Sequence, residues 1–285
     1  MTAIIEAHGL SKRYGAHLAL DHADFTIQPG RIVGLIGPND AGKTTAMRAI
    51  LGLTPYEGSL SVLGREPFRE RAALMRDVCF IADVAVLPSW LRVDRAIDFV
   101  GGVHPRFRRE RALELLARTQ ITRKQTLREL SKGMKTQVHL ALAMAIDAKL
   151  LVLDEPTLGL DLLARRGFYD ALLNDYMDAS RTILITTHQV EEIENLLTDV
   201  MFIERGRIAL DCPVEELGTR FAVVAVNEDQ TETARAAKPF YERRMLGKTL
   251  FYYETPDLQK LGAFGELHTP SIADLFVAKL SRQAA

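Results

Sequence analysis

Gly37-Pro38-Asn39-Asp40-Ala41-Gly42-Lys43-Thr44 limits the possible folds of this chain more than any other stretch of it. The segment lies between an apolar, strand-like run, Ile32 to Ile36, and a helix-like run beginning at Thr45. In a loop of the form G-x-x-x-x-G-K-[ST], backbone N–H groups converge on phosphate oxygens, the lysine reaches the β/γ oxygens and the hydroxyl ligates Mg²⁺. The helix that follows adds the partial positive charge of its N-terminus at the same place. A glycine-rich turn with a surface lysine is the alternative reading. The strand before and the helix after supply the context that nucleotide binding requires. Gly37, Pro38, Asn39, Asp40, Ala41, Gly42, Lys43, Thr44 and Thr45 are therefore expected to hold a nucleoside triphosphate, with Thr44 on its metal.

The surrounding pattern is that of a covered parallel sheet. Ile4–Leu10, Leu18–Ile27 and Arg31–Ile36 read as β segments, the last two divided by the turn signal Pro29-Gly30. A helix is expected from Thr44 to Leu53, stopped near Thr54-Pro55. A strand pair follows around Ser59–Leu63 and Val78–Ile81. From Val93 to Leu130 the spacing turns helical, with Ala96, Phe99 and Val100 on one face and Leu113, Leu115 and Leu116 on another. Continuous apolar runs return at Leu150–Leu153 and Thr182–Ile185, as strands buried on both faces require. Ligands of such sheets bind beyond the carboxyl ends of the strands.

Past Cys212-Pro213 the character changes. Arg220–Asn227, Lys248–Glu254 and a helix from about Ser271 to Leu280 read as a small α+β appendage, with Thr269 as N-cap and Pro270 at the first helical position. Ile272, Leu275, Phe276 and Leu280 form an apolar stripe that packs on the appendage's own strands or docks a second copy. The boundaries expected are residues 1–212 for a nucleotide-binding domain, with its helical subdomain at about 90–135, and 213–285 for the appendage.

At 285 residues the chain has room for a large core and a smaller attachment. Its formal net charge of −1 gives no overall attraction to nucleic acid, and no nucleic-acid partner is expected; the basic run Arg106-Phe107-Arg108-Arg109 reads as a solvated face. Cys79 and Cys212 stand apart, without metal-site spacing, as suits a reducing cytosol. The most apolar stretch, Val138 to Ile146, is too short to cross a bilayer, and the N-terminus does not read as a signal peptide.

Further segments sharpen the chemistry. Leu150-Leu151-Val152-Leu153-Asp154-Glu155 delivers two carboxylates at the end of an apolar strand. Asp154 is placed to hold Mg²⁺ and Glu155 to act as general base on the attacking water. Leu130-Ser131-Lys132-Gly133-Met134 precedes an Ala/Leu-rich helix, so Ser131, the Gly133 backbone and the helix N-terminus form an anion-binding element or simply a helix cap.

From about residue 4 to 212 the chain resembles an ATP-binding cassette (ABC) ATPase, the nucleotide-binding subunit of an exporter-type ABC transporter. Leu130-Ser131-Lys132-Gly133-Met134 looks like a variant of that family's signature, usually Leu-Ser-Gly-Gly-Gln. Asp154-Glu155-Pro156-Thr157 and Gly159-Leu160-Asp161 are similar to its Walker B motif and D-loop. His188 looks like the switch histidine and Tyr14 like the aromatic that stacks on adenine. The fold the resemblance implies is an α/β P-loop NTPase: a RecA-like parallel sheet core with an antiparallel β subdomain and a helical insertion. The small C-terminal α+β appendage resembles those of bacterial exporter subunits.

The implied activity is hydrolysis of ATP with Mg²⁺, using Glu155 and His188. Two cassettes pair head to tail, each nucleotide held between one copy's phosphate loop and the other's Ser131, Gly133 and Asp161. The implied partners are a second such subunit, in a homodimer, and a separate transmembrane permease contacted through the Val93–Leu130 insertion. Such a subunit is cytoplasmic and peripheral on the inner face of the cell membrane.

Two positions depart from the family pattern. Asp40 stands where glycine is common; it tolerates a left-handed backbone and is expected to turn its side chain away from the nucleotide. Asp83 in Phe80-Ile81-Ala82-Asp83 is the nearest candidate for the usual interlobe glutamine, either as a metal ligand or as a solvated loop carboxylate. Two other functions fit the motifs. One is a non-transport ABC ATPase, although translation-type members carry two cassettes per chain and repair-type members long coiled coils. The other is a regulatory module that binds ATP and hydrolyses it weakly.

Overall fold

The computed structural model describes residues 2–81, 87–157, 160–245 and 247–282. Asp83, and Gly159 of the Gly159-Leu160-Asp161 motif, lie outside the described residues.

Three sheets organise the chain. β1 (Ile5–Tyr14) pairs antiparallel with β2 (His17–Ile27) and with β4 (Glu57–Val62), giving the order β2-β1-β4. The central sheet holds β3 (Ile32–Ile36), β5 (Val78–Ile81), β6 (Leu150–Asp154), β7 (Thr182–Thr187), β8 (Asp199–Glu204) and β9 (Arg207–Pro213). Its order is β5-β6-β7-β3-β8-β9, parallel except for the final β8–β9 pair. The strands expected as a pair at Ser59–Leu63 and Val78–Ile81 join different sheets: β4 adds to β1, and β5 adds to β6.

Alternation along the central strands explains their unbroken apolar runs. Leu151, Leu153, Ile183, Ile185 and Phe202 face one apolar cluster, while Leu150, Val152, Leu184, Met201 and Ile203 face another. The second cluster is closed by the antiparallel sheet and by α1 (Lys43–Ile50). α2 (Arg71–Leu74) sits beside it through the buried Leu74. The first cluster is closed by α3 (Val93–Val103), α4 (Arg109–Ala117) and α5 (Lys132–Met144). α6 (Leu162–Ala171) continues into a wider π turn at Leu172–Tyr176 and covers the same face. On α3 the buried residues are Val93, Ala96 and Ile97, whereas Phe99 is 62 % exposed; the stripe runs one position away from the expected Phe99 face.

The basic run at 106–109 is held by acids: Arg106 pairs with Asp77 at 2.7 Å, Arg108 with Asp147 at 2.6 Å, and Arg109 with Asp98.

The C-terminal sheet has the order β11-β12-β10-β13, all antiparallel, from β10 (Phe221–Val226), β11 (Tyr241–Met245), β12 (Lys248–Glu254) and β13 (Glu266–His268). α7 (Leu217–Arg220) leads into it. α8 (Thr231–Ala236) and α9 (Leu258–Gly262) bury one face through Ala234 and Leu261. α10 (Ile272–Arg282) covers the other through Ala278, against Val223 and Tyr252.

α10 also reaches the central sheet. Ile272 and Leu275 belong to the first cluster, Phe276 stacks edge-on against Phe202 with centroids 5.2 Å apart, and the Ile272 N–H donates to Glu194 Oε1 at 2.8 Å. Its cap is Ser271, whose Oγ accepts from Asp274 N–H at 3.0 Å, so Thr269-Pro270 lies just ahead of the helix rather than opening it.

Candidate functional site

β6, β7 and β3 are neighbours in that order, and their carboxyl ends are in register: Asp154 opposite Thr186, and Thr187 opposite Ile36. The loop after β3 and the carboxylates after β6 therefore meet at one edge of the sheet. The cavity there is about 600 Å³ and is lined by Tyr14, His17, Ala19, Asn39, Asp40, Ala41, Gly42, Lys43, Thr44, Thr45, Asp154 and Glu155. That volume suits a nucleotide-sized ligand.

The loop's shape depends on its glycines. A Cβ on Gly37 would lie 2.5 Å from the Ile203 carbonyl oxygen. At Gly42, with φ 112°, one would lie 2.6 Å from the Ala19 carbonyl oxygen. Asp40 takes the left-handed backbone, φ 63°, as an acidic residue can. It lines the cavity, and its carboxylate acts on Lys43 together with those of Glu155 and Asp154. The tight turn leaves Asp40 on the cavity's lining, within electrostatic reach of Lys43.

Lys43 opens α1 and is only 8 % exposed. Its ammonium donates to the carbonyl oxygens of Gly37 at 2.6 Å and Pro38 at 2.9 Å, which is how those two residues enter the site. Burial pulls its pKa below the ordinary lysine value, against the pull of Glu155, Asp154 and Asp40. Gly42 caps α1 without a side-chain bond, and Lys43, Thr44 and Thr45 of the first turn line the cavity, where a helix N-terminus leaves N–H groups for a ligand.

Opposite the loop, Asp154 Oδ1 accepts from Thr186 Oγ at 2.6 Å. Glu155 sits at φ 45°, an uncommon backbone for a side chain of its size. Its Oε1 accepts from the His188 backbone N–H at 3.0 Å and lies 2.7 Å from His188 Nδ1; its Oε2 accepts from Thr187 Oγ at 3.1 Å. Thr44 and Asp154 both line the cavity and carry hard oxygen donors. Among the described residues no cluster of three or more His, Cys, Asp or Glu could hold a metal. Such a site suits Mg²⁺, which takes one or two protein oxygens and completes its shell from phosphates and water.

Tyr14 ends β1 at the cavity's outer edge, 43 % exposed, with Lys12 Nζ 5.0 Å from its ring centroid. A hydrogen bond with Thr54, aided by Arg48 and Lys12, holds its phenol below the ordinary value. His17 and Ala19 were not among the expected residues. The signal for them is the tight hairpin that sets His17 directly across from Tyr14.

Ser131 and Gly133 lie elsewhere. Ser131 caps α5, its Oγ accepting from Met134 N–H at 3.2 Å, and neither residue is among those lining the cavity. Asp161 is exposed and caps α6, accepting from Ala164 N–H at 2.8 Å. Among the described residues, the expected ones thus divide into those that line the cavity, those that touch a lining residue (Gly37 and Pro38 through Lys43, His188 through Glu155), and an outlying group at two helix N-termini.

Comparison with known proteins gives a consistent picture. A family model described as ABC transporter matches residues 20–158. The "Nod factor export ATP-binding protein I" of Cupriavidus metallidurans is 36% identical over 307 residues, covering 99% of both chains. The "Daunorubicin resistance ATP-binding protein DrrA3" of Streptomyces coeruleorubidus is 32% identical over 246 residues, covering 82% of this chain and 78% of that one. Among solved structures, one titled as the ATP binding subunit of an ABC transporter superposes with a TM-score of 0.68 at 26% identity, over 75% of this chain and 91% of that one.

Proposed function

This chain belongs to the ABC transporter family, and we propose that it is the ATP-hydrolysing subunit of an exporter, acting on a separate membrane-spanning partner. The single observation that carries the reading is the pairing of His188 with Glu155, a carboxylate that lines the phosphate-loop cavity. Relatives named for Nod factor export and daunorubicin resistance support the exporter assignment.

In this reading the loop N–H groups from Asn39 to Thr45 and the Lys43 ammonium hold the phosphates, and Tyr14 takes the adenine. Lys43 exchanges its bonds to Gly37 and Pro38 for phosphate oxygens. Glu155 accepts a proton from a water whose oxygen attacks the γ-phosphorus; the bond to the β-phosphate's bridging oxygen breaks, leaving ADP and inorganic phosphate. His188, held by Glu155, orients that water and contacts the γ-phosphate. Mg²⁺ offsets negative charge on the phosphates when bound, and Thr44 and Asp154 are the residues that would hold it.

Ser131, Gly133 and Asp161 are assigned to a second copy's nucleotide. Their place outside the cavity of their own chain supports a head-to-tail homodimer. The exposed Trp90, Phe99 and Val103 support membrane-partner contact at the helical insertion. No described helix is long and apolar enough to cross a membrane, so the partner supplies the span and the subunit sits at the inner membrane face. We place the cassette at residues 1–212 and the appendage at 213–285.

The test is ATP turnover per chain as a function of protein concentration, for the wild type and for Glu155→Gln. Turnover that rises with concentration, and is lost in a variant that accumulates an ATP-bound dimer, is expected. Turnover independent of concentration, or kept in Glu155→Gln, refutes the composite site.

A further inference from the structure

Behind the nucleotide cavity lies an ion pair that none of the recognised motifs contains. Arg165, on the first turn of α6, contacts Glu192 Oε1 through one terminal nitrogen of its guanidinium. The two side chains are 23 % and 18 % exposed. Neither residue lines the cavity.

What surrounds the pair gives it a role beyond stability. The other Arg165 terminal nitrogen donates to the Leu160 carbonyl oxygen at 3.4 Å, immediately before Asp161. Glu192 Oε2 accepts from Thr157 Oγ at 3.4 Å, two residues after Glu155, and the same hydroxyl lies 3.1 Å from the Tyr169 hydroxyl. Gln189, immediately after His188, sets its amide against both Glu192 oxygens; when the amide nitrogen is the atom assigned to that side, it donates to Oε1 at 2.6 Å and to Oε2 at 3.1 Å. One carboxylate therefore gathers the segments that carry Glu155, His188 and Asp161. Glu155 also holds a left-handed backbone, which persists only where the surroundings over-determine it.

We propose that Arg165 and Glu192 are positioning residues for hydrolysis: their ion pair keeps Glu155 and His188 in hydrogen-bonded register and ties that register to Asp161. The inference rests on the hydrolytic reading above. Movement of Asp161, wherever a second copy touches it, is transmitted through Leu160 and Arg165 to Glu192, and from there to Thr157 and Gln189 on either side of the Glu155–His188 pair. A displacement of about 1 Å at such a pair costs on the order of 100-fold in rate.

The experiment compares Arg165→Ala, Arg165→Lys, the isosteric Glu192→Gln and the charge exchange Arg165→Glu with Glu192→Arg in the full-length chain. It measures kcat, affinity for a non-hydrolysable ATP analogue and the melting temperature, with Glu155→Gln in parallel. Arg165→Ala and Glu192→Gln are expected to lower kcat by about 10- to 100-fold with analogue affinity within about twofold of wild type. Arg165→Lys should recover part of the loss, and the exchange should exceed the product of its single variants. A kcat within twofold of wild type in Glu192→Gln overturns the inference, as does a loss that follows affinity and melting temperature together. If Glu155→Gln abolishes turnover while the Arg165 and Glu192 variants keep it, only this inference fails; if Glu155→Gln itself keeps turnover, the hydrolytic reading fails.

Discussion

Glu155 and His188 are joined twice: the same carboxylate oxygen takes the His188 backbone N–H at 3.0 Å and stands 2.7 Å from its ring Nδ1. The backbone bond fixes where the histidine lies and the ring contact fixes how it turns. His188→Ala keeps the first and removes the second. Turnover is expected to fall by about 10²- to 10³-fold while analogue binding changes little, because losing one group that orients the attacking water and meets the charge developing on the γ-phosphate costs on that scale. Phosphate release by the purified variant, measured beside analogue titration, checks it.

Asp40 brings a negative charge to the rim of a cavity meant for phosphates. Two unit charges about 4 Å apart in water interact by about 1 kcal/mol, roughly fivefold in affinity. Asp40→Gly is therefore expected to tighten ATP binding by less than about tenfold. Salt screens such a charge, so the gain should shrink as ionic strength rises. Calorimetric titration at low and high salt tests both; a gain beyond tenfold, or one indifferent to salt, contradicts the electrostatic account.

Stability should decline on the acid side of neutrality. Burial holds His139 on α5, and His104 after α3, below the ordinary imidazole value. The folded chain therefore binds fewer protons than the unfolded chain as pH falls below about 6.5, so their contribution is complete above that pH and is lost below it. Urea unfolding at pH 7.5, 6.5 and 5.5 should show a falling midpoint, and His139→Gln should flatten part of the fall. Lower still, Asp147, whose carboxyl is held down chiefly by its hydrogen bond to Arg181, adds a further loss as it protonates.

Phe202 is 1 % exposed and meets Phe276 edge-on. Phe202→Ala should cost about 3–5 kcal/mol, the usual penalty for emptying an aromatic site in a core. A double-mutant cycle with Phe276→Ala should return a coupling of about 0.5–1.5 kcal/mol. Denaturant titration of the four proteins measures it, and a coupling near zero would mean that the two rings merely adjoin.

The legible parts of the chain were those where one residue type serves one backbone need. Gly37, Gly42, Lys43 and Thr44 announce a phosphate loop because other residues clash or lack the chemistry, and the paired carboxylates at 154 and 155 follow from a strand end beside it. β8 and β9 escaped notice, because Asp199 and Glu204 bracket the first and the short β8–β9 connection sits within an otherwise mixed stretch. The appendage's β11, with the sequence Tyr-Glu-Arg-Arg-Met, carries charge as edge strands do and has almost no alternation to read. His17 was missed because a hairpin, not a motif, brings it to the cavity, and Arg165 and Glu192 because their meaning lies in a contact across 27 residues of sequence. A face on α3 was misjudged for a simpler reason: Phe99 is large and apolar, yet here it is left to water.

The seating of α10 against Phe202 and Glu194 also sets how this polypeptide can be divided. A chain cut after β9 would uncover Phe202 and Val190, residues now sealed from solvent beside α10 in a shared cluster with Ile272 and Leu275. Exposed apolar surface of that kind drives self-association. Shortened versions should therefore come out of expression as inclusion bodies unless those positions are made polar.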